Sequence, residues 1–136
     1  MKGKRLMSVE EEIRKASEQF YTALTRMANG NAGLMSEIWL HDKRVTVLHP
    51  IGGMEFGWKA VKKSFDELAE LASAGKITLE DQHIHIIGDV FYEVGIEVGQ
   101  MTFARELINI EHRITNIYSK KGGEWKIIHH HGAIFG

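Results

Sequence analysis

The spacing of apolar residues changes partway along the chain. Up to about residue 75 they recur at helical intervals, and from Lys76 onward they alternate with polar residues. In IRKASEQFYTALTRMANG, Ile13, Phe20, Leu24 and Met27 fall on one helical stripe. Ser8 followed by Glu11 is a capping-box pattern at its start, and Asn29-Gly30 supplies a stop. LMSEIWL predicts a further helical turn or two. RVTVLHP is rich in β-branched residues and closed by Pro50, which predicts a strand, and IGGMEFG reads as a glycine-punctuated loop. Val61, Phe65, Leu68 and Ala72 predict a second amphipathic helix from Trp58 to about Ala74, ended by Gly75.

The second half reads as a meander of ITLEDQHIHII, VFYEVGIEVG, FARELINIEHRITNIYS and EWKIIHHHGAIF. Alternation breaks near Asp81, which predicts a bulge there, while Gly88-Asp89 and KKGG suit tight turns. Helices first and antiparallel strands afterwards make the fold class α+β, with helices packed on one face of a curved sheet.

Alternation also predicts faces. In VFYEVGIEV the even positions Tyr92, Val94, Ile96 and Val98 are the apolar set, so they are expected to face the helices. In the next strand the even positions are Ile108, Ile110, His112, Ile114, Asn116 and Tyr118. This face is apolar except for His112 and Asn116. In the last strand His130 and Ile128 are even, while Trp125, Ile127, His129 and His131 are odd. A turn centred on Gly122 sets His130 opposite Ile114, with His112 and Asn116 as diagonal neighbours. Three polar groups then converge on an apolar concave surface, as in a small-molecule pocket. The opposite, mixed face carries enough apolar area to suit a second copy of the chain.

Composition narrows the classes. The 136 residues carry a formal charge of −1 and no Cys, so there is no basic stripe for nucleic acid, no disulfide and no thiolate metal site. No stretch is apolar enough to span a bilayer and the basic N-terminus lacks a signal-peptide core, so a cytoplasmic protein is expected. Residues 1–7 are read as a flexible N-terminus, and 8–135 as a single domain. His83 with His85, and His129 with His131, each share a face, and Glu111 could complete a ligand set. The two pairs lie two strands apart in the meander, so no metal site is expected, and no cofactor is.

VTVLHPIGGMEFGWKAV together with RITNIYSKKGGEWKIIHHHGA resembles the SnoaL-like branch of the nuclear-transport-factor-2-like superfamily. Its most specific part is the closing Thr115, Trp125, His129 and His131 pattern. The resemblance is greatest to the group containing the association domain of calcium/calmodulin-dependent protein kinase II. It implies a cystatin-like cone, in which a strongly curved antiparallel sheet wraps around N-terminal helices and leaves one pocket. It also implies a homodimer through the convex face of the sheet. The kinase association domain carries pocket arginines at positions matching Val98, Asn116 and Gly132, and all three are uncharged here. The aspartate base of ketosteroid isomerase and the Asp-Arg-Asp set of epoxide hydrolase relatives find no match. Polyketide cyclases and scytalone dehydratase are nearest in residue type, through His112, His130, Tyr92 and Tyr21.

His130 is the leading candidate for acid–base chemistry, because an imidazole can pass a proton either way near neutrality. The competing reading is a core histidine satisfied by Asn116. His112 shares the logic, and Asn116 would orient a substrate oxygen or fix a histidine tautomer. Tyr92, Val94, Ile96, Val98 and Ile114 are expected to line the pocket. His49 and Glu55 would stand at its mouth as a histidine–acid pair, with Tyr21 and Trp39 as aromatic walls. The expected activity is a cofactor-independent isomerase, cyclase or dehydratase acting on a small organic ligand. The alternative is a non-catalytic binding or oligomerisation domain, with no nucleic acid and no membrane as partner in either case.

Overall fold

The computed structural model describes residues 7–134, so all but Met7 of the N-terminal segment, and the expected domain end at 135, lie outside the described residues. Helix α1 spans Val9–Met27 and starts at Ser8, whose hydroxyl accepts from the Glu11 amide while the Glu11 side chain reaches back. One turn, α2 (Met35–Ile38), follows, then strands β1 (Thr46–Leu48) and β2 (Met54–Phe56), and helix α3 (Trp58–Leu71). The meander is β3 (Ala72–Ile87), β4 (Val90–Phe103), β5 (Glu106–Lys121) and β6 (Glu124–Ile134). Together they form one six-stranded sheet in the order β2-β1-β6-β5-β4-β3, with only the β1–β6 pair parallel.

The fold class, the capping box, the Gly88-Asp89 turn and the bulge near Asp81 all match the sequence reading. Two boundaries differ. MEFG contains strand β2 rather than only loop, because Met54–Phe56 pairs back onto β1. The helix from Trp58 stops at Leu71, and Ala72 already pairs with Phe103, so Gly75 lies inside β3. Helices α1 and α3 bury Phe20, Leu24, Val61 and Phe65 against the inner face of the curved sheet, where Phe91, Tyr118 and Ile127 are fully buried.

The inner face of β4 is the reverse of the expectation. A two-residue turn at Ala104-Arg105 pairs Phe103 with Glu106, so odd positions of β4 oppose even positions of β5. Phe91, Glu93 and Glu97 therefore face the helices, opposite Tyr118, Asn116 and His112. Tyr92, Val94, Ile96 and Val98 lie half-buried on the convex side. Counting apolar residues pointed the wrong way because the buried face carries two carboxylates.

Strand β6 is corrected by a bulge between the Ile117–His129 and Tyr118–Ile127 pairs. Beyond it Trp125 and Ile127 turn inward rather than outward, and His130 stands directly opposite Asn116 instead of Ile114. His129 and His131 remain on the outer face, as expected; His129 Nδ1 is 2.6 Å from Thr46 Oγ1.

Curvature depends on close contact at Gly95, which lies between the two inward glutamates and opposite the β3 bulge. A Cβ there would stand 2.8 Å from the Glu80 carbonyl oxygen and 2.9 Å from Leu79 Cδ1. Gly95→Ala should therefore cost about 1–3 kcal/mol in denaturant unfolding. An unchanged midpoint would mean that the bulge can move away freely.

Candidate functional site

The polar centre of the inner face is built by strand register. Glu93 opposes Asn116, which opposes His130, and four residues along Glu97 opposes His112. Glu93 is completely buried, and among the described residues no cation stands beside it. One of its oxygens accepts from Ser17 Oγ at 2.7 Å and Gln82 Nε2 at 2.8 Å. The other accepts from Tyr118 Oη at 2.7 Å and Asn116 Nδ2 at 3.0 Å. Four donors satisfy the four lone-pair sites of a carboxylate, which is what makes a buried anion tolerable.

Asn116 carries the network onward. Its amide nitrogen also donates to Tyr21 Oη at 3.1 Å, so its oxygen is left to face His130 Nδ1 at 2.6 Å. Amide orientation and imidazole tautomer here follow from partners rather than from visible hydrogens. Tyr21 in turn donates to Glu97 Oε2 at 2.8 Å. The remaining His130 nitrogen, Nε2, stands 3.9 Å from Glu97 Oε2, and His112 Nδ1 is 3.6 Å from Glu97 Oε1. Both distances are too long for hydrogen bonds, and His112 Nδ1 is buried with no protein partner.

Glu97, His112, His130 and His49 line a cavity of about 60 Å³ whose other walls are apolar, including Leu24, Phe65, Met101 and Ile110. Its size lies well below the ~300–1,000 Å³ usual for drug-sized ligands, so it suits a compact molecule. Burial pushes the His130 pKa down, opposed by Glu97, so the ring is held neutral. Burial, and then the glutamates, push the Tyr21 and Tyr118 phenols well up, so both remain protonated donors. His49 is lowered to about 4, first by burial and then by His130.

The expected site residues divide accordingly. His130, His112 and His49 come together at the cavity, and Tyr21 supports it from behind Glu97. Asn116 lies behind His130 with its amide committed, so it cannot also steady a substrate oxygen. Ile114 is buried opposite Gly132, near Pro50. Trp39 packs in the core against Phe20, Trp58 and Phe65. Glu55 sits on β2 in an outer groove that it shares with His49, away from the cavity lining. Tyr92, Val94, Ile96 and Val98 line nothing inside, since they lie on the convex face. Glu93 and Glu97 are the residues missed. The Ala104-Arg105 turn would have found them, because it fixes the parity of β4 against β5.

His49 gives this site a pH signature. Its folded pKa lies below its ordinary value of about 6.5, so the unfolded chain takes up the proton first as pH falls. Stability should be lost between about pH 6.5 and about 4, by at most about 3 kcal/mol from this group. His130 acts in the same direction. Unfolding at pH 7 and pH 4.5 should show a shallower loss in His49→Gln, and an equally steep one would clear His49 of the effect.

Comparison with solved structures shows the same fold. A candidate dehydratase of the nuclear-transport-factor-2-like family from Streptomyces avermitilis superposes with a TM-score of 0.81 at 21% identity, over 93% of this chain and 96% of that one. A Caulobacter vibrioides protein of cystatin-like fold matches at 0.77 and 16%, over 93% and 89%. The calcium/calmodulin-dependent protein kinase II hub of S. rosetta matches at 0.75 and 19%, over 95% and 98%. Comparison with curated proteins finds no match. Among the described residues no helix is long and apolar enough to cross a membrane. Residues 13–135 match the SnoaL-like domain, nearly the whole chain, and the protein belongs to that family.

Proposed function

We propose that the chain is a cofactor-independent lyase, a dehydratase of small hydroxylated carbonyl compounds, with His130 as its acid–base residue. The observation that carries this reading is the His130 arrangement. Nδ1 is tied to Asn116, so Nε2 faces a cavity carboxylate, Glu97, at 3.9 Å without bonding to it. A neutral imidazole held in one tautomer beside a carboxylate is a general base whose protonated form is stabilised once it arises.

In the reaction, Nε2 takes the proton on the carbon next to the carbonyl. The imidazolium, steadied by Glu97, returns that proton to the departing hydroxyl as the carbon–oxygen bond breaks. Water leaves and a conjugated carbonyl remains, with no other reactant needed. Asn116 and Tyr21 are committed within the network, which leaves the His112 imidazole as the cavity donor without a protein partner among the described residues. One imidazole, rather than a pair of preorganised donors around an enolate oxygen, favours elimination, in which the histidine supplies the acid, over enolate-stabilised isomerisation. The likeness to the Streptomyces candidate dehydratase supports the same choice. His130→Ala should lower kcat by about 10²–10⁴ on a panel of small β-hydroxy ketones, followed by enone absorbance. Measurable binding with no rate above buffer would leave a non-catalytic binding protein.

A homodimer through the convex face is the second part of the reading, supported by Leu48, Val94, Ile117 and Tyr92 on that face and by the hub neighbour. Register sets Leu48, His131, Thr115 and Val94 in one row and Thr46, His129, Ile117 and Tyr92 in the next. Val94→Glu puts a charge in the middle of this surface. It should shift light-scattering mass from dimer to monomer without changing the fold, and a monomeric wild type would remove the proposal.

A further inference from the structure

The hydrogen bonds already made around the cavity determine what its polar wall can offer a ligand. Glu93 can only accept, so it fixes the Asn116 amide with nitrogen inward to Glu93 and oxygen toward His130. His130 Nδ1 must then carry the proton, and Nε2 presents a lone pair. Ser64 gives its hydroxyl proton to the Val61 carbonyl at 2.7 Å, so at 2.9 Å it accepts from His49 Nε2. His49 therefore keeps a lone pair on Nδ1. Glu97 accepts the Tyr21 proton on one oxygen and leaves the other without a hydrogen bond, facing His112 Nδ1 at 3.6 Å. A proton on that nitrogen would be drawn to Glu97. Among the described residues, no Lys or Arg lines this cavity.

We infer that the cavity recognises its ligand through a hydrogen-bond donor, a hydroxyl or an ammonium group on a short apolar body, and rejects carboxylates. Glu97 Oε2 keeps a second lone pair beside the one that takes the Tyr21 proton, and it lies 3.9 Å from His130 Nε2, so a single donor atom can stand ~2.8 Å from each. A hydroxyl has one proton to place there and a primary ammonium has three. A carboxylate brings no proton and a second negative charge beside Glu97. The apolar remainder, with Phe65 and Phe103, fits a short alkyl chain.

This ligand class rests on the cavity being the working site, as the dehydratase reading also requires. The test uses three probes of similar size, propan-1-ol, propylammonium and propionate, each titrated into the full chain while the imidazole signals of His130 and His112 are followed by NMR. The alcohol and the ammonium are expected to shift both signals, with propionate at least tenfold weaker. Glu97→Gln should weaken the ammonium at least tenfold relative to the alcohol. Propionate binding as tightly as the alcohol would overturn the inference, and so would three probes that leave both imidazoles unmoved. The wild-type ranking decides this even if the variant does not fold. Alcohol binding without turnover of any β-hydroxy ketone would remove the dehydratase and leave the ligand class standing. Turnover combined with a preference for propionate would do the reverse.

Discussion

A buried carboxylate held by neutral hydrogen-bond donors governs the interior of this fold. Glu93 lies in the middle of the sheet's inner face, where an unsatisfied charge would be expelled or neutralised. It is held instead by four donors from α1, β3 and β5. Each donor is thereby fixed in place, so the network fastens the first helix to the meander with directional bonds as well as apolar contact. The consequence reaches the cavity, because Asn116 cannot turn its amide around without setting its oxygen against Glu93. The orientation of a buried anion thus reaches His130 through a single side chain.

The same logic explains why two adjacent carboxylates differ. Glu93 is saturated and stays structural. Glu97, four residues on along the same face, receives among the described residues only the Tyr21 hydroxyl and shares its surroundings with His130 and His112. Its remaining lone pairs are left for chemistry or for a ligand. A strand presents both residues on the same face because its period is two, and the intervening Gly95 leaves room for the β3 bulge that curves the sheet over them.

Much of the architecture is legible in the residues. Ser8 and Glu11, the helical stripe from Ile13 to Met27, the turn at Gly88-Asp89 and the break near Asp81 each state their role locally. The inward turn of His130 and the outward turn of His129 and His131 were also readable from alternation. Local pattern failed where burial and polarity part company. Glu93 and Glu97 look like solvent-facing residues until their partners are known, and those partners come from distant segments such as Ser17, Tyr21 and Tyr118. The β6 bulge leaves no mark in composition, so simple alternation points Trp125 and Ile127 outward and sets His130 against Ile114 instead of Asn116. Glu55 looked suited to His49 in sequence, but β2 carries it into an outer groove.

The network reaches the chemistry through the tautomer of His130. Long-range proton–nitrogen NMR correlation on the histidine rings at pH 7 reads it directly. A neutral ring with the proton on Nδ1 and an unprotonated Nε2 is expected. A ring protonated on Nε2 alone, or an imidazolium, would contradict it.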